Sequence, residues 1–173
     1  MNDIMLDLET MGTSFNAPIV AIGAVRFDPK SEEIGETFYQ LIDLKSCVDK
    51  GLLLDVDTVL WWMRQGDNAR GQICNPSLER VPLEIALVNF GIWLKPDDKV
   101  WGNGVDFDNV ILSTAYRRCN LEQPWKFWNN RCYRTIKNMQ PDIELVREGT
   151  HHNCLDDAIS QAKHLQVILG GRK

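Results

Sequence analysis

Apolar and polar residues alternate near the start of the chain, which predicts β-strands there. Within residues 4–9, apolar side chains at positions 4, 6 and 8 fall on one side of the strand, and Asp7 and Glu9 fall on the other. Residues 19–27, rich in Val, Ile and Ala, predict a second strand, and residues 37–42 predict a third. The connections are short and include an Asp-Pro turn signal, so we expect adjacent antiparallel strands.

The rest of the chain is dominated by helical periodicity. Apolar residues at positions 59–63 predict a helix that Asp55 or Asp57 caps. A second helix is predicted from Pro82, and residues 99–102 predict a short strand that leads, through a loop, to a helix over residues 109–118. The last helix has the clearest apolar face, formed by Leu155, Ala158, Ile159, Ala162, Leu165 and Leu169.

This order of elements predicts an α/β fold with a mixed sheet flanked by helices. The chain has 173 residues, which suits one hydrophobic core, so we predict a single domain over residues 1–173. Hydrophobic residues make up 44% and charged residues 25% of the sequence, close to the average of globular proteins, and this argues against disorder.

The net charge limits how the protein could bind nucleic acid. Lys and Arg number 19 and Asp and Glu number 24, which gives a formal net charge of −5. A protein that binds nucleic acid through its own charge is usually basic. If this chain handles nucleic acid, we expect divalent metal ions on clustered carboxylates to hold the phosphates.

Several features favour a cytoplasmic protein without a membrane anchor. The first ten residues contain three acids, unlike a secretory signal, and the longest apolar stretch, residues 19–25, is far too short to span a bilayer. The five cysteines are odd in number and form no Cys-x-x-Cys pair, so we expect reduced thiols rather than disulfides or a zinc site.

The two acids of the first strand indicate a metal site. Asp7 and Glu9 lie two residues apart, so their side chains leave the same face of the sheet. Such close anions repel each other unless a cation lies between them. A solvated strand face would be the ordinary explanation, but the apolar neighbours indicate a buried central strand, where unpaired like charges are costly.

Two further acidic pairs lie in turn or helix-start segments. Asp106 and Asp108 follow the predicted strand at residues 99–102, and Asp156 and Asp157 follow two histidines at the start of the last helix. Helix capping and dipole interactions would also account for acids there. Helical geometry alone does not choose between Asp156 and Asp157. The pattern predicts an oxygen-ligand site for Mg²⁺ or Mn²⁺.

Three segments together resemble the motifs of DEDDh-type 3′–5′ exonucleases, the DnaQ-like group of the ribonuclease H-like superfamily. They are Asp-Leu-Glu-Thr at residues 7–10, the segment at residues 103–108 and His-Asn-Cys-Leu-Asp-Asp at residues 152–157. The aromatic residue before position 108 favours Asp108 over Asp106, and the five-residue offset favours the pair His152 and Asp157. The resemblance implies four metal ligands and a general base: Asp7, Glu9, Asp108 and Asp157 as ligands, and His152 as the base.

The resemblance also implies a fold and an activity. The fold would be the ribonuclease H-like three-layer fold, with antiparallel strands followed by parallel ones. The activity would be hydrolysis of single-stranded DNA or RNA from the 3′ end, releasing nucleoside 5′-monophosphates, with two Mg²⁺ or Mn²⁺ ions per site. The chain looks most similar to short phage and bacterial exonuclease and exoribonuclease domains, which suggest a homodimer.

Substrate contacts are expected in three places. The family resemblance gives the turn after the first motif, Thr10, Met11 and Gly12, a contact with the 3′-terminal nucleotide, although Gly12 could alternatively serve only the turn. Adjacent tryptophans on a helix point about 100° apart. One of the two could therefore stack on a base, whereas the alternative places both in the core. These considerations add Trp61, Trp62, Gln65 and Asn103 to the candidate substrate-binding residues.

Two alternatives compete with a nuclease. The first motif faintly resembles the start of aspartyl-phosphate phosphatases, in which Asp7 would be a nucleophile. That family needs Asp where Glu9 stands and makes no use of a His–Asp pair in a last helix. The other alternative is a non-catalytic nucleic-acid-binding module. The presence of all five catalytic residue types argues against it.

Overall fold

Five strands form one mixed sheet in the computed structural model, which describes residues 1–170. The strands are β1 (Asp3–Thr10), β2 (Ile19–Phe27), β3 (Ile34–Leu41), β4 (Lys99–Gly102) and β5 (Asn130–Cys132). Their order across the sheet is β3-β2-β1-β4-β5. β1, β2 and β3 are antiparallel neighbours, whereas β4 runs parallel to β1 and β5 runs parallel to β4. The predicted mixed sheet is confirmed.

Helices cover both faces of the sheet. They are α1 (Leu44–Asp49), α2 (Val56–Met63), α3 (Asp67–Cys74), α4 (Leu83–Trp93), α5 (Asp108–Arg118), α6 (Tyr133–Met139) and α7 (Cys154–Gly170). α1, α4 and α5 share the larger hydrophobic core with one face, and α6 and α7 pack on the other. α2 and α3 pack on the segment after β1, where Trp62 and Ile73 contact Met11. No helix in the described part of the chain is long and apolar enough to cross a membrane.

The alternation along β1 directs its acids to one side. Ile4, Leu6 and Leu8 are buried in the core beneath α4 and α5, and Met5 lies in the core beneath α7. Because side chains alternate along a strand, Asp7 and Glu9 share the face of Met5, on which α7 packs. This placement brings the acids of β1 and those of α7 to the same side of the sheet.

The start of α7 lies directly on β2 at a glycine. Gly23 is the partner of Asp7 in the β1–β2 ladder. A Cβ atom at Gly23 would lie only 2.4 Å from the backbone carbonyl carbon of Cys154. Only a residue without a side chain allows the helix start to approach the strand this closely. Gly23 therefore sets the height of α7 above the acids of β1.

Several short elements differ from the expectations. β3 begins at Ile34, three residues before the predicted start, and Ile42 forms only an isolated bridge with Val81. The sequence pattern does not predict α1, α3, α6 or β5. One turn of 3₁₀-helix lies at Phe127–Asn129, where the sequence pattern predicts no element. These elements are three to eight residues long, too short to show a clear hydrophobic period.

Candidate active site

Three carboxylates from β1 and α7 converge in one place. One oxygen from each of Asp7, Glu9 and Asp157 lies within 4.8 Å of the other two. Glu9 and Asp157 are buried, and Asp7 is partly buried. The alternation of β1 supplies the first two acids and the first turn of α7 supplies the third, so residues 150 positions apart form one cluster.

Asp108 lies beside this cluster, at the start of α5. Its carboxylate accepts hydrogen bonds from the backbone N–H of Leu8, at 3.2 Å, and of Asn103, at 2.9 Å. Its charge raises the pKa of both Asp7 and Glu9. The exposed Asp106 makes no comparable contact with β1, so the geometry favours the predicted assignment of Asp108 over Asp106.

The pKa values of Glu9, Asp7 and Asp108 are raised, because these acids are buried and lie close to other acids. Burial and the charges of Asp157 and Asp108 raise the pKa of Glu9 from 4.5 to about 8. Burial and the neighbouring acids raise the pKa of Asp7 well above its ordinary value, and burial raises that of Asp108 to about 7. A divalent cation among these oxygens would relieve both the repulsion and the loss of hydration.

The backbone at the start of α7 explains the spacing between the histidine and the acid. The N–H of His152 donates to Oδ2 of Asp157 at 3.0 Å, and His152 adopts a positive φ of 65°. The Oδ1 of Asn153 accepts the backbone N–H groups of Leu155 and Asp156 and caps the helix. Asp156 accepts the N–H of Thr150 at 2.7 Å. Asp157, and not Asp156, therefore faces the acids of β1.

The His152 ring lies in an aromatic environment at the edge of the acidic cluster. It stacks on His151 with ring centroids 3.7 Å apart and contacts the edge of Trp61 at 4.9 Å and of Trp62 at 6.1 Å. Burial, the neighbouring His151 and Arg147 lower the pKa of His152 below 6.5, although Asp157 opposes this effect. A lowered pKa keeps the imidazole neutral near pH 7, the form that accepts a proton.

A cleft of about 660 Å³ opens onto the acids and the histidine. Of the predicted substrate-binding residues, five line it: Thr10, Gly12, Trp61, Trp62 and Asn103. Met11 and Gln65 do not line this cleft. Met11 is buried against Trp62 and Ile73, and the Gln65 amide donates to the carbonyl of Trp61.

The two tryptophans have different environments, as their positions on the helix predict. Trp61 is 40% exposed at the cleft, whereas Trp62 is 4% exposed. The indole N–H of Trp62 donates to the carbonyl of Thr10 at 2.9 Å. Trp62 therefore fixes the turn after β1, and Trp61 is the one available to a ligand.

Two cleft residues that contact the clustered acids were not predicted as site residues from the sequence. The Gln161 amide donates to Asp7 at 2.8 Å, and its other polar atom, Oε1, is buried without a hydrogen-bond partner among the described residues. Its position four residues after Asp157, on the same helix face, could have revealed it. Arg147 forms an ion pair with Asp157 from an irregular segment, and no spacing rule points to it.

Comparisons with known proteins agree with this geometry. An exodeoxyribonuclease of Enterobacteria phage T4 is 32% identical, over 98% of this chain and 92% of the phage protein. The nuclease domain of 3′hExo, a DEDDh family member bound to rAMP, has a TM-score of 0.59 at 15% identity, covering 98% of this chain and 92% of that domain.

A longer solved structure has the same fold. The zinc-bound form of E. coli exonuclease I with single-stranded DNA has a TM-score of 0.61 at 16% identity, covering 97% of this chain but 39% of the longer protein. Residues 2–169 match the model of the 3′–5′ exoribonuclease Rv2179c-like domain. The chain belongs to this family and is a 3′–5′ exonuclease, a hydrolase.

Proposed function

We propose that this exonuclease removes nucleotides one at a time from the 3′ end of single-stranded DNA or RNA, as nucleoside 5′-monophosphates, using two Mg²⁺ or Mn²⁺ ions. The observation that carries the proposal is the convergence of Asp7, Glu9 and Asp157 in an open cleft beside His152. The family assignment gives no support to the phosphatase hypothesis.

The residues present fit a pair of divalent cations. Four carboxylates would hold them, Asp7, Glu9 and Asp157 together and Asp108 beside them. The raised pKa values of Asp7, Glu9 and Asp108 and the unpartnered Oε1 of Gln161 are features that bound cations and their water ligands would satisfy. Bound metal ions supply activation of the attacking water and stabilisation of charge on the phosphate.

His152 is proposed to accept the proton of the attacking water. Its ring lines the cleft next to Asp157, and its lowered pKa favours the neutral form at pH 7. The positive φ of His152 and the hydrogen bond from its N–H to Asp157 hold its backbone beside a proposed metal ligand.

The strand is proposed to enter through the open side of the cleft. The half-exposed Trp61 offers a face on which a base can stack. Thr10 and Gly12 line the cleft and follow Glu9 in the chain, in the turn expected to contact the 3′-terminal nucleotide. The phage relative is named an exodeoxyribonuclease and the family an exoribonuclease domain, which supports both DNA and RNA as candidates.

The test is degradation of 5′-labelled single-stranded DNA and RNA of the same sequence, side by side, in Mn²⁺. A ladder that shortens from the 3′ end, with mononucleotide products, supports the proposal. Rapid cleavage of closed circles would point to an endonuclease instead. Absence of cleavage of both substrates, with binding retained, would favour the non-catalytic module.

Three further expectations remain proposals. The homodimer rests on the resemblance to short exonuclease domains, and sedimentation analysis would test it. A single domain over residues 1–173 would unfold in one cooperative transition. The cytoplasmic setting rests on the five cysteines, all of which have free thiols in the structure.

A further inference from the structure

Arg147 lines the cleft but has no role in the proposed reaction. It lies in the segment before α7, and its side chain is 46% exposed. Its Nη1 donates to Oδ1 of Asp157, one of the three clustered acids. Among the Lys and Arg residues that the structure describes, Arg147 alone lines the cleft, whereas Asp55 and Asp57 add further negative charge to the wall.

The two oxygens of Asp157 have partners of different mobility. Oδ2 accepts the backbone N–H of His152, which belongs to the start of α7 and cannot leave without unwinding it. Oδ1 accepts the end of a long, half-exposed side chain. A cation approaching Asp157 would therefore displace the guanidinium of Arg147 and leave the backbone contact in place.

The backbone next to Arg147 is fixed, so only its side chain needs to move. The N–H of Glu148 donates to Oγ of Ser160 at 3.0 Å, and the Glu148 carboxylate pairs with Lys163. Both partners lie on α7. The Cα of Arg147 therefore stays beside the cleft while its guanidinium changes partner.

The charge balance of the cleft indicates a second binding partner for the Arg147 guanidinium. Four carboxylates carry a formal charge of −4, which two divalent cations would neutralise. Each phosphate of an incoming strand then brings a negative charge into a cleft whose remaining wall is acidic. A guanidinium is suited to bind phosphate oxygens with two parallel hydrogen bonds.

We propose that Arg147 exchanges between two anions, Asp157 and a backbone phosphate of the bound strand, and that a metal ion at Asp157 drives the exchange. The strand-binding half of this proposal rests on the proposed function. The metal-binding half does not, because it concerns only the competition between a cation and a guanidinium for one carboxylate.

Binding measurements on the variant Arg147→Gln test both halves. Arg70→Gln is the matched control, because Arg70 is 43% exposed and pairs with Asp67, outside the acidic cluster. Calorimetry would measure Mn²⁺ affinity. Fluorescence anisotropy would measure binding of a labelled single strand in Ca²⁺, with the strand checked for cleavage afterwards.

We expect Arg147→Gln to bind Mn²⁺ about three- to tenfold more tightly, because a competing ion pair is lost. It should bind the strand about tenfold more weakly, because a charge-assisted contact is lost. Arg70→Gln should change neither affinity. Unchanged or weaker Mn²⁺ binding by Arg147→Gln would overturn the competition, and unchanged strand binding would overturn the phosphate contact.

A measurement on the unaltered protein guards against misfolding of the variant. The NMR signal of the Arg147 Nε–H, identified by its loss in Arg147→Lys, should shift when Mg²⁺ is added and shift again when the strand follows. A signal unaffected by Mg²⁺ would overturn the exchange. If both shifts occur but the protein cleaves neither DNA nor RNA, the proposed activity fails while the exchange stands.

Discussion

Replacing Glu9 by glutamine removes one buried ionisable group and keeps the size of the side chain, so we expect it to stabilise the protein in EDTA. Glu9 is 8% exposed, and only desolvation and the charges of Asp157 and Asp108 act on its pKa. No described residue donates a hydrogen bond to the Glu9 carboxylate, so the substitution breaks no favourable contact.

The size of the effect follows from the two pKa values of Glu9. The pKa is 4.5 in the unfolded chain and about 8 in the folded protein. Because folding raises the pKa of Glu9, proton binding by Glu9 stabilises the folded state. This contribution to the free energy of unfolding is fully present below pH 4.5 and is lost as the pH rises toward 8. Each pH unit in that window costs about 1.4 kcal/mol. Relative to a side chain that never ionises, Glu9 therefore lowers the free energy of unfolding by about 3 kcal/mol at pH 7 and by under about 1 kcal/mol at pH 5.

Urea denaturation in EDTA at pH 5 and pH 7 measures this difference. We expect Glu9→Gln to exceed the wild type in unfolding free energy at pH 7, with a much smaller gain at pH 5. The exposed Glu122 lies outside the acidic cluster and provides the control Glu122→Gln, which should match the wild type at both pH values. A Glu9→Gln protein no more stable than the wild type at pH 7 would refute the repulsion argument.

Three other predictions concern activity and binding. EDTA should abolish cleavage, and Asp108→Ala should lower the rate by about 10³-fold or more at saturating Mn²⁺ in a labelled-strand assay, because metal binding supplies several kcal/mol to the reaction. His152→Ala should lower the rate about 10²–10⁴-fold, whereas His151→Ala should lower it only slightly. The wild-type rate should fall as acid protonates His152 below pH 6.5. A large loss of rate in His151→Ala instead would mean that His151 is the base and that the motif is aligned one residue too late. Trp61→Ala should raise KM about tenfold with little change in kcat, whereas Trp62→Ala should lose about 3–5 kcal/mol of stability in a urea titration; equal stability of the two variants would contradict their different burial.

Elements with a long apolar period could be predicted from the sequence. α7 and the strands β1 and β2 were expected close to their observed bounds, because each buries a regular face. β5 could not, because it is three residues long and its hydrogen bonds depend on β4, far away in the sequence. α3 has few apolar residues and is positioned by Ala69 and Ile73 packing on the segment after β1.

The candidate site shows the same division. The acids were recognisable because each sits in a motif whose spacing has a local cause, such as the bond from the His152 N–H to Asp157. The roles of Met11 and Gln65 were harder to foresee, since turn geometry and helix rotation decide whether a side chain enters the cleft. Arg147 could not be found at all from spacing, because it reaches Asp157 from an irregular segment.

The close approach of α7 to Gly23 restricts how this enzyme can be engineered. Replacing strand glycines by alanine is a common route to greater stability, because it reduces the freedom of the unfolded chain. At Gly23 the added methyl group would meet the backbone of Cys154 at 2.4 Å, so α7 would have to move away from the sheet. A displacement of about 1 Å can lower an enzyme's rate by about 10²-fold. A single methyl group that touches neither substrate nor any acid would thus lower both the stability and the activity of the enzyme, so Gly23 is a glycine that stability engineering must leave unchanged.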